Sequence, residues 1–264
     1  MRRVYGAVLT SPRPCDNRGT VRPKVFTVAD RPELADRLDE LGEVWPAFLT
    51  HDEVVNSRWG DLYTRWPEYQ LVLVDEDTDE VLGKGNTMPV EWDGRIETLT
   101  GGVVEVFERE FERPNVLCAV VAVIDPERQG QRLSGQVIQG MAEVAAAKGL
   151  DCLIAPVRPT WKERYPLTPL EEYMQWRCED GLPFDPWIRL HHKLGAELLA
   201  LAPRSLDIRG TVAEWEQWTE MAFPVTGEYV VPGALVPVTI DRERDEGRYI
   251  EPNVWMRHAA APVA

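Results

Sequence analysis

The sequence predicts an α/β fold from three observations. Residues 117–124 (LCAVVAVI) form a run of strand-forming apolar residues that stops at Asp125-Pro126, and a long amphipathic pattern opens near Ser134. Residues 152–157 (CLIAPV) are a second apolar run directly after that pattern, so strand, helix and strand follow one another as in a parallel crossover. Residues 69–75 (YQLVLVD) and 81–89 flank a polar turn and read as a hairpin.

The remaining elements follow in order. Residues 1–23 carry Pro, Arg and Gly without periodicity and read as a loose arm. Residues 24–28 (KVFTV) are a first strand, and Asp30 is the expected cap of a helix striped by Leu34, Leu38 and Leu41. Further helices are expected over 43–49 and 61–66. Residues 103–111 fit helix or strand, with Glu105, Glu108 and Glu110 on a solvated face if helical. Ser134 caps the helix over 134–148 and Gly149 stops it. A helix over 171–178 carries Tyr173, Trp176 and Arg177, and Asp180 and Asp185 bracket a Gly/Pro turn as capping residues. Beyond residue 197 come strands over 197–201 and 205–212, a helix over 213–221 with Trp215 and Trp218 on one face, and a closing strand pair over 234–241 and 249–257. The alternation of Val254 and Met256 with Trp255 and Arg257 reads as an exposed or interface-facing edge.

Composition narrows the class of partner. The chain has 264 residues, 44% hydrophobic, which is enough for a substantial core. A net charge of -15 argues against nucleic acid or an anionic membrane as the main partner, because phosphate contacts need clustered positive charge. No apolar run is long enough to span a bilayer, and the N-terminal apolar run is too short and wrongly flanked for a secretory signal, so a cytoplasmic location is expected. Cys15, Cys118, Cys152 and Cys178 show neither C-x-x-C nor metal-ligand spacing, so reduced thiols and no metal are expected. Several of the ten Trp would suit a homodimer surface.

Two stretches suggest a reaction. The turn Gln129-Gly130-Gln131-Arg132-Leu133-Ser134 leads from a strand into a helix N-terminus, where unpaired N–H groups favour phosphate. It resembles the acyl-CoA-binding segment of the GNAT superfamily of N-acetyltransferases, in which Gln or Arg, two residues, Gly, one residue and Gly or Ala wrap the CoA pyrophosphate. Arg132 stands in the Gly place and Ser134 in the Gly/Ala place. Arg gives up the positive φ and close approach that Gly allows, and offers a guanidinium to phosphate in return. Residues 186–197 (PWIRLHHKLGAE) resemble the GNAT helix ending in aromatic-Tyr-x-x-Leu-Gly-aromatic, whose Tyr protonates the departing thiolate. Alignment on Leu194-Gly195 puts His191 at the Tyr, a residue able to donate a proton near neutral pH; the adjacent His192 points elsewhere.

The resemblance implies a mixed central sheet whose two parallel strands splay apart, flanked by helices, with a C-terminal strand extension. It implies an acyl-CoA donor, acetyl-CoA first, held by Val123, Ile124, Gln129, Gly130, Gln131, Arg132, Leu133 and Ser134, with a backbone N–H near Val123 polarising the thioester carbonyl. It implies transfer to a small-molecule amine. Arg158, Lys162 and Tyr173 follow the second parallel strand and are candidates to hold that acceptor, or are parts of a self-fastened loop. The base stays open among Glu105, Asp185, a water chain or none. The expected organisation is an arm (1–23), a GNAT-like core (24–212), an extension closing the sheet (213–258) and a tail (259–264). Two other readings stand beside this one. The first is the same fold with a carrier-protein or tRNA donor or another thioester reaction such as decarboxylation; the second is a non-catalytic ligand-binding or scaffold protein.

Overall fold

The computed structural model describes residues 21–41 and 45–260. The N-terminal arm, the start of the helix expected over 43–49 and the last residues of the tail lie largely outside them. Strand β1 (Pro23–Thr27) pairs antiparallel with β2 (Leu71–Asp75), and β2 with β3 (Val81–Val90). The connection from β1 to β2 holds a 3-10 segment, Pro32–Glu40, and short helices α1 (Glu53–Arg58) and α2 (Asp61–Arg65). Asp30 does not cap that segment: its Oδ2 accepts from the Thr27 hydroxyl at 2.7 Å, and Pro32, which has no N–H to satisfy, opens the turn. Helix α3 (Val103–Glu108) resolves the helix-or-strand ambiguity and precedes β4 (Val116–Ile124).

Helix α4 (Leu133–Ala147) crosses from β4 to β5 (Cys152–Val157), which runs parallel to β4. Alternate side chains of β4 serve opposite faces: Leu117 packs beneath Val137 and Met141 of α4, and Cys118 packs with Val106 and Phe107 of α3. Ser134 is inside α4 rather than at its cap, a position occupied by Arg132. The helix expected over 171–178 is a single turn, α5 (Leu170–Tyr173), followed by irregular chain and then α6 (Pro186–Lys193).

The C-terminal third differs most from expectation. Strand β6 (Glu197–Gly210) merges the two predicted strands, and α7 (Val212–Thr219), β7 (Gly227–Tyr229) and β8 (Val238–Asp241) lead into β9 (Glu246–Ala259). Strand β9 is no edge. It bonds antiparallel to β5 and β8 on one side and to β6 on the other, so residues 253–256 are all buried. The break drawn at residue 212 is therefore not followed by the hydrogen bonding, since the last strand sits inside the sheet. Pro252 lies where the β6–β9 register slips between Ala202 and Leu206, a place where a missing N–H is tolerated.

Candidate active site

Two local irregularities open the sheet. Opposite β3, β4 carries a bulge: Asn86 faces Val121 and Thr87 faces Ala119, leaving Val120 unpaired. Bulges bend a strand and increase its twist. On its other side β4 pairs with β5 only at Leu117↔Leu153 and Cys118↔Ile154, after which the strands part. The gap is a passage of two chambers that share Trp45, Ala122, Arg158 and Trp187.

The outer chamber, about 430 Å³, is lined by Val123 and Ile124 at the end of β4 and by Gln129, Gly130, Leu133 and Ser134. Gly130 has φ 83° and Arg132 φ 62°, ψ 19°. The expectation that Arg gives up the positive φ is corrected: the turn into α4 needs a left-handed residue there, and Arg132 adopts it. Its side chain, like that of Gln131, is exposed, and neither residue is in the chamber wall. The first-turn N–H groups of the fifteen-residue α4 are thus carried by Leu133 and Ser134 at the chamber. Arg128, also in the wall, donates Nε–H to Glu80 at 2.9 Å.

The inner chamber, about 390 Å³, runs along Ala119 to Ala122 toward His191, Glu251 and Asn253. His191 is 4% exposed. Its Nδ1 lies 2.8 Å from Nε2 of His258, the Trp187 ring meets it edge-on at 5.0 Å, and its Nε2 has no partner among the described residues. Burial and the neighbouring imidazole push His191 down to about 3, and burial pushes His258 down to about 4, so both rings are neutral at physiological pH. Asn253 donates Nδ2–H to the Pro156 carbonyl at 3.3 Å, which leaves its Oδ1 buried and unpartnered.

Arg158 bounds both chambers. It donates Nε–H to both Glu251 oxygens at 3.0 Å and Nη2–H to the Gly233 carbonyl at 2.6 Å. Glu251, 1% exposed, also accepts from the Tyr249 hydroxyl at 2.8 Å.

No family model matches this chain. Arginine N-acetyltransferase avaD of Aspergillus versicolor is 30% identical over 270 residues, covering 88% of this chain and 92% of that protein. The chain belongs to the GNAT superfamily of N-acyltransferases. Among solved structures, the loading GNATL domain of CurA from Lyngbya majuscula superposes with TM-score 0.56 at 17% identity, covering 92% of this chain and 98% of that one. The GphF GNAT-like decarboxylase in complex with isobutyryl-CoA superposes with TM-score 0.52 at 15% identity, covering 91% and 100%. At such identities these two establish the fold. The chain is an enzyme, an acetyltransferase of the GNAT type.

The passage gathers some predicted residues and leaves others out. Val123, Ile124, Gln129, Gly130, Leu133, Ser134, Arg158 and His191 line it; Gln131, Arg132, Lys162 and Tyr173 do not. Lys162 is fully buried, with Nζ donating to the carbonyls of Tyr165 at 2.8 Å and Leu235 at 2.6 Å. The Tyr173 hydroxyl donates to Asp185 Oδ2 at 2.9 Å. Both fasten the loop after β5, so their predicted acceptor role is corrected. Asp185 is saturated by this bond, by the Trp161 amide and by capping α6, and Glu105 accepts from the Gly101 amide, so neither faces the passage as a base. The Cys118 thiol is buried and pushed up by desolvation, which leaves no reactive thiolate.

Trp45 and Trp187 also line the passage and were not singled out from the sequence. The sequence left Glu251-Pro252-Asn253 open between lining a ligand pocket and forming a plain strand edge; Glu251 and Asn253 line the inner chamber. His258 gave no signal.

Proposed function

We propose that the enzyme transfers the acetyl group of acetyl-CoA to the amine of a small amino acid, with arginine the first acceptor to test. The observation that supports this best is the pair of adjoining chambers that reach from the N-terminus of α4, through the parting of β4 and β5, to the buried His191. A CoA thioester has that shape: an anionic pyrophosphate, a narrow arm and a reactive end. The pyrophosphate would take the Gly130 turn and the N–H groups of Leu133 and Ser134, where the helix dipole favours negative charge. The arm would follow Ala122 to Ile124, whose edge toward β5 has no strand partner after Cys118. A main-chain N–H near Val123 would hold the oxygen that becomes negative as the amine adds.

The acceptor end suits an amino acid. Asn253 Oδ1 is an acceptor without a donor, suited to an ammonium or guanidinium N–H, and Arg158 brings a cation for a carboxylate. The relative avaD is named for arginine, which combines these groups. In the reaction the neutral amine nitrogen bonds to the acetyl carbon and the carbon–sulfur bond breaks. The neutral His191 ring donates its Nε2–H as a hydrogen bond to the departing sulfur, and the surplus proton on the attacking nitrogen passes to the thiolate, giving amide and thiol with no net proton change.

The test is incubation of the purified enzyme with acetyl-CoA and single amino acids, followed by mass spectrometry of both substrates. We expect acetylated arginine and free CoA in equal amounts. Acetyl-CoA consumption with no acetylated amine would overturn transfer to nitrogen, and acetylation of non-amino-acid amines alone would overturn the acceptor class.

A further inference from the structure

The His191 ring can meet the sulfur in two chemically opposite ways, and the cleft itself does not determine which. A neutral imidazole carries its proton on one nitrogen. If the proton is on Nε2, His191 offers the passage a donor; if it is on Nδ1, a lone pair faces the passage and repels a departing thiolate. The group across from Nδ1 sets the choice, and that group is His258, 2.8 Å away.

We propose that His258 is the positioning residue of the reaction: its Nε2–H donates to Nδ1 of His191 and thereby fixes the proton of His191 on Nε2, facing the thioester sulfur. This rests on the reading of His191 as the hydrogen-bond donor to that sulfur. At 2.8 Å only one proton fits between the two nitrogens, because two would clash and none would set lone pair against lone pair. The His191 tautomer is therefore tied to that of His258.

Both rings are held from outside the cleft. His258 stands opposite Leu153 in the β5–β9 pairing, and its neighbours Arg257 and Met256 bond across to Glu197 and Leu198 of β6, so its backbone is fixed on both sides. His191 is on α6, whose start is capped by Asp185 Oδ1, accepting from the Trp187 and Ile188 amides, and whose end is closed by the Ala196 amide donating to the His191 carbonyl at 3.0 Å. The unpartnered Nε2 of His191 is an independent sign that this nitrogen is reserved for something not present in the fold. Among the described residues no carboxylate bonds either ring. A carboxylate partner would favour an imidazolium, whereas a second neutral imidazole orients His191 without charging it. His192 is exposed and has no part in the pair.

The chain has four histidines, few enough for nitrogen NMR of the protein labelled with 15N-histidine. The expected spectrum shows His191 protonated on Nε2 and bare on Nδ1; the reverse tautomer would overturn the proposal. Kinetics supply the second arm. His258→Gln keeps an N–H at the same number of bonds from Cβ and should hold kcat within about threefold of the wild type. His258→Leu should lower kcat by roughly tenfold to a hundredfold, by analogy with the loss when the partner orienting a metal-bound histidine is removed, with acetyl-CoA affinity unchanged. Equal kcat in both variants would contradict the proposal, as would a loss confined to KM. If His258→Leu does not fold, the wild-type spectrum decides alone. If the wild type transfers no acetyl group, the functional reading fails while the tautomer is still measured.

Discussion

Glu251→Gln should lower folding stability by about 3 kcal/mol, and through Arg158. In the wild type the Arg158 Nε–H is shared between both Glu251 oxygens at 3.0 Å, and the Tyr249 hydroxyl donates to the same carboxylate at 2.8 Å, with Glu251 1% exposed. Breaking a buried pair by neutralising one partner costs about 3–5 kcal/mol because the other charge stays buried and uncompensated. Gln retains one carbonyl for Arg158, which places the expectation at about 3, the low end of that range. Replacing both partners by apolar residues of similar size is often close to neutral, so Arg158→Met with Glu251→Leu should recover most of the loss, leaving about 1 kcal/mol for the Tyr249 hydroxyl without its acceptor. The measurement is urea unfolding followed by Trp fluorescence for both single variants and the double. A Glu251→Gln loss below about 0.5 kcal/mol, or single effects that simply add, would refute the reasoning.

The other predictions concern buried groups that titrate. Burial lowers Lys162 to about 8, so between pH 8 and the ordinary lysine range the unfolded chain holds more protons. Stability should therefore rise with pH across that window, and Lys162→Met should abolish its share of the rise in urea unfolding at pH 7.5 and 10. The His191–His258 pair works in the acid direction. With folded values near 3 and 4, the unfolded chain binds protons first, so stability present above pH 6.5 is lost as pH falls toward 4; His258→Gln should flatten this slope. For the same reason the pH profile of kcat/KM should show no ionisation near 6.5, and a limb there would contradict a neutral His191.

What was legible in the sequence was local. Strand β4, its turn and α4 are contiguous, and their periodicities of two and 3.6 residues are set by each element alone, so the passage wall around Val123 and Gly130 could be placed from motif and pattern. His191 was legible through Leu194-Gly195, three and four residues away. Its partner His258 was not, because β9 reaches β5 only after the whole α7–β8 excursion, and nothing in residues 249–257 distinguishes a strand at an edge from one bonded on both sides. Lys162 and Tyr173 misled for a related reason: residue type suggests a ligand, but the carbonyls of Tyr165 and Leu235 and the carboxylate of Asp185 claim them in the folded chain. At Arg132 the conformation demanded by the turn outweighed the residue's own preference.

Binding of acetyl-CoA at the N-terminus of α4 is the central claim, and Ser134→Asp tests it without disturbing the fold. An acidic residue in the first turn of a helix is favourable to the dipole, so thermal stability should be unchanged or slightly raised. A carboxylate within about 4 Å of a phosphate, however, opposes it by about 1–4 kcal/mol between bulk water and a surface-like dielectric. Calorimetric titration with acetyl-CoA should give micromolar binding to the wild type, weakened about tenfold or more in Ser134→Asp. Equal affinity in the two proteins, or no binding to the wild type, would contradict this placement of the donor.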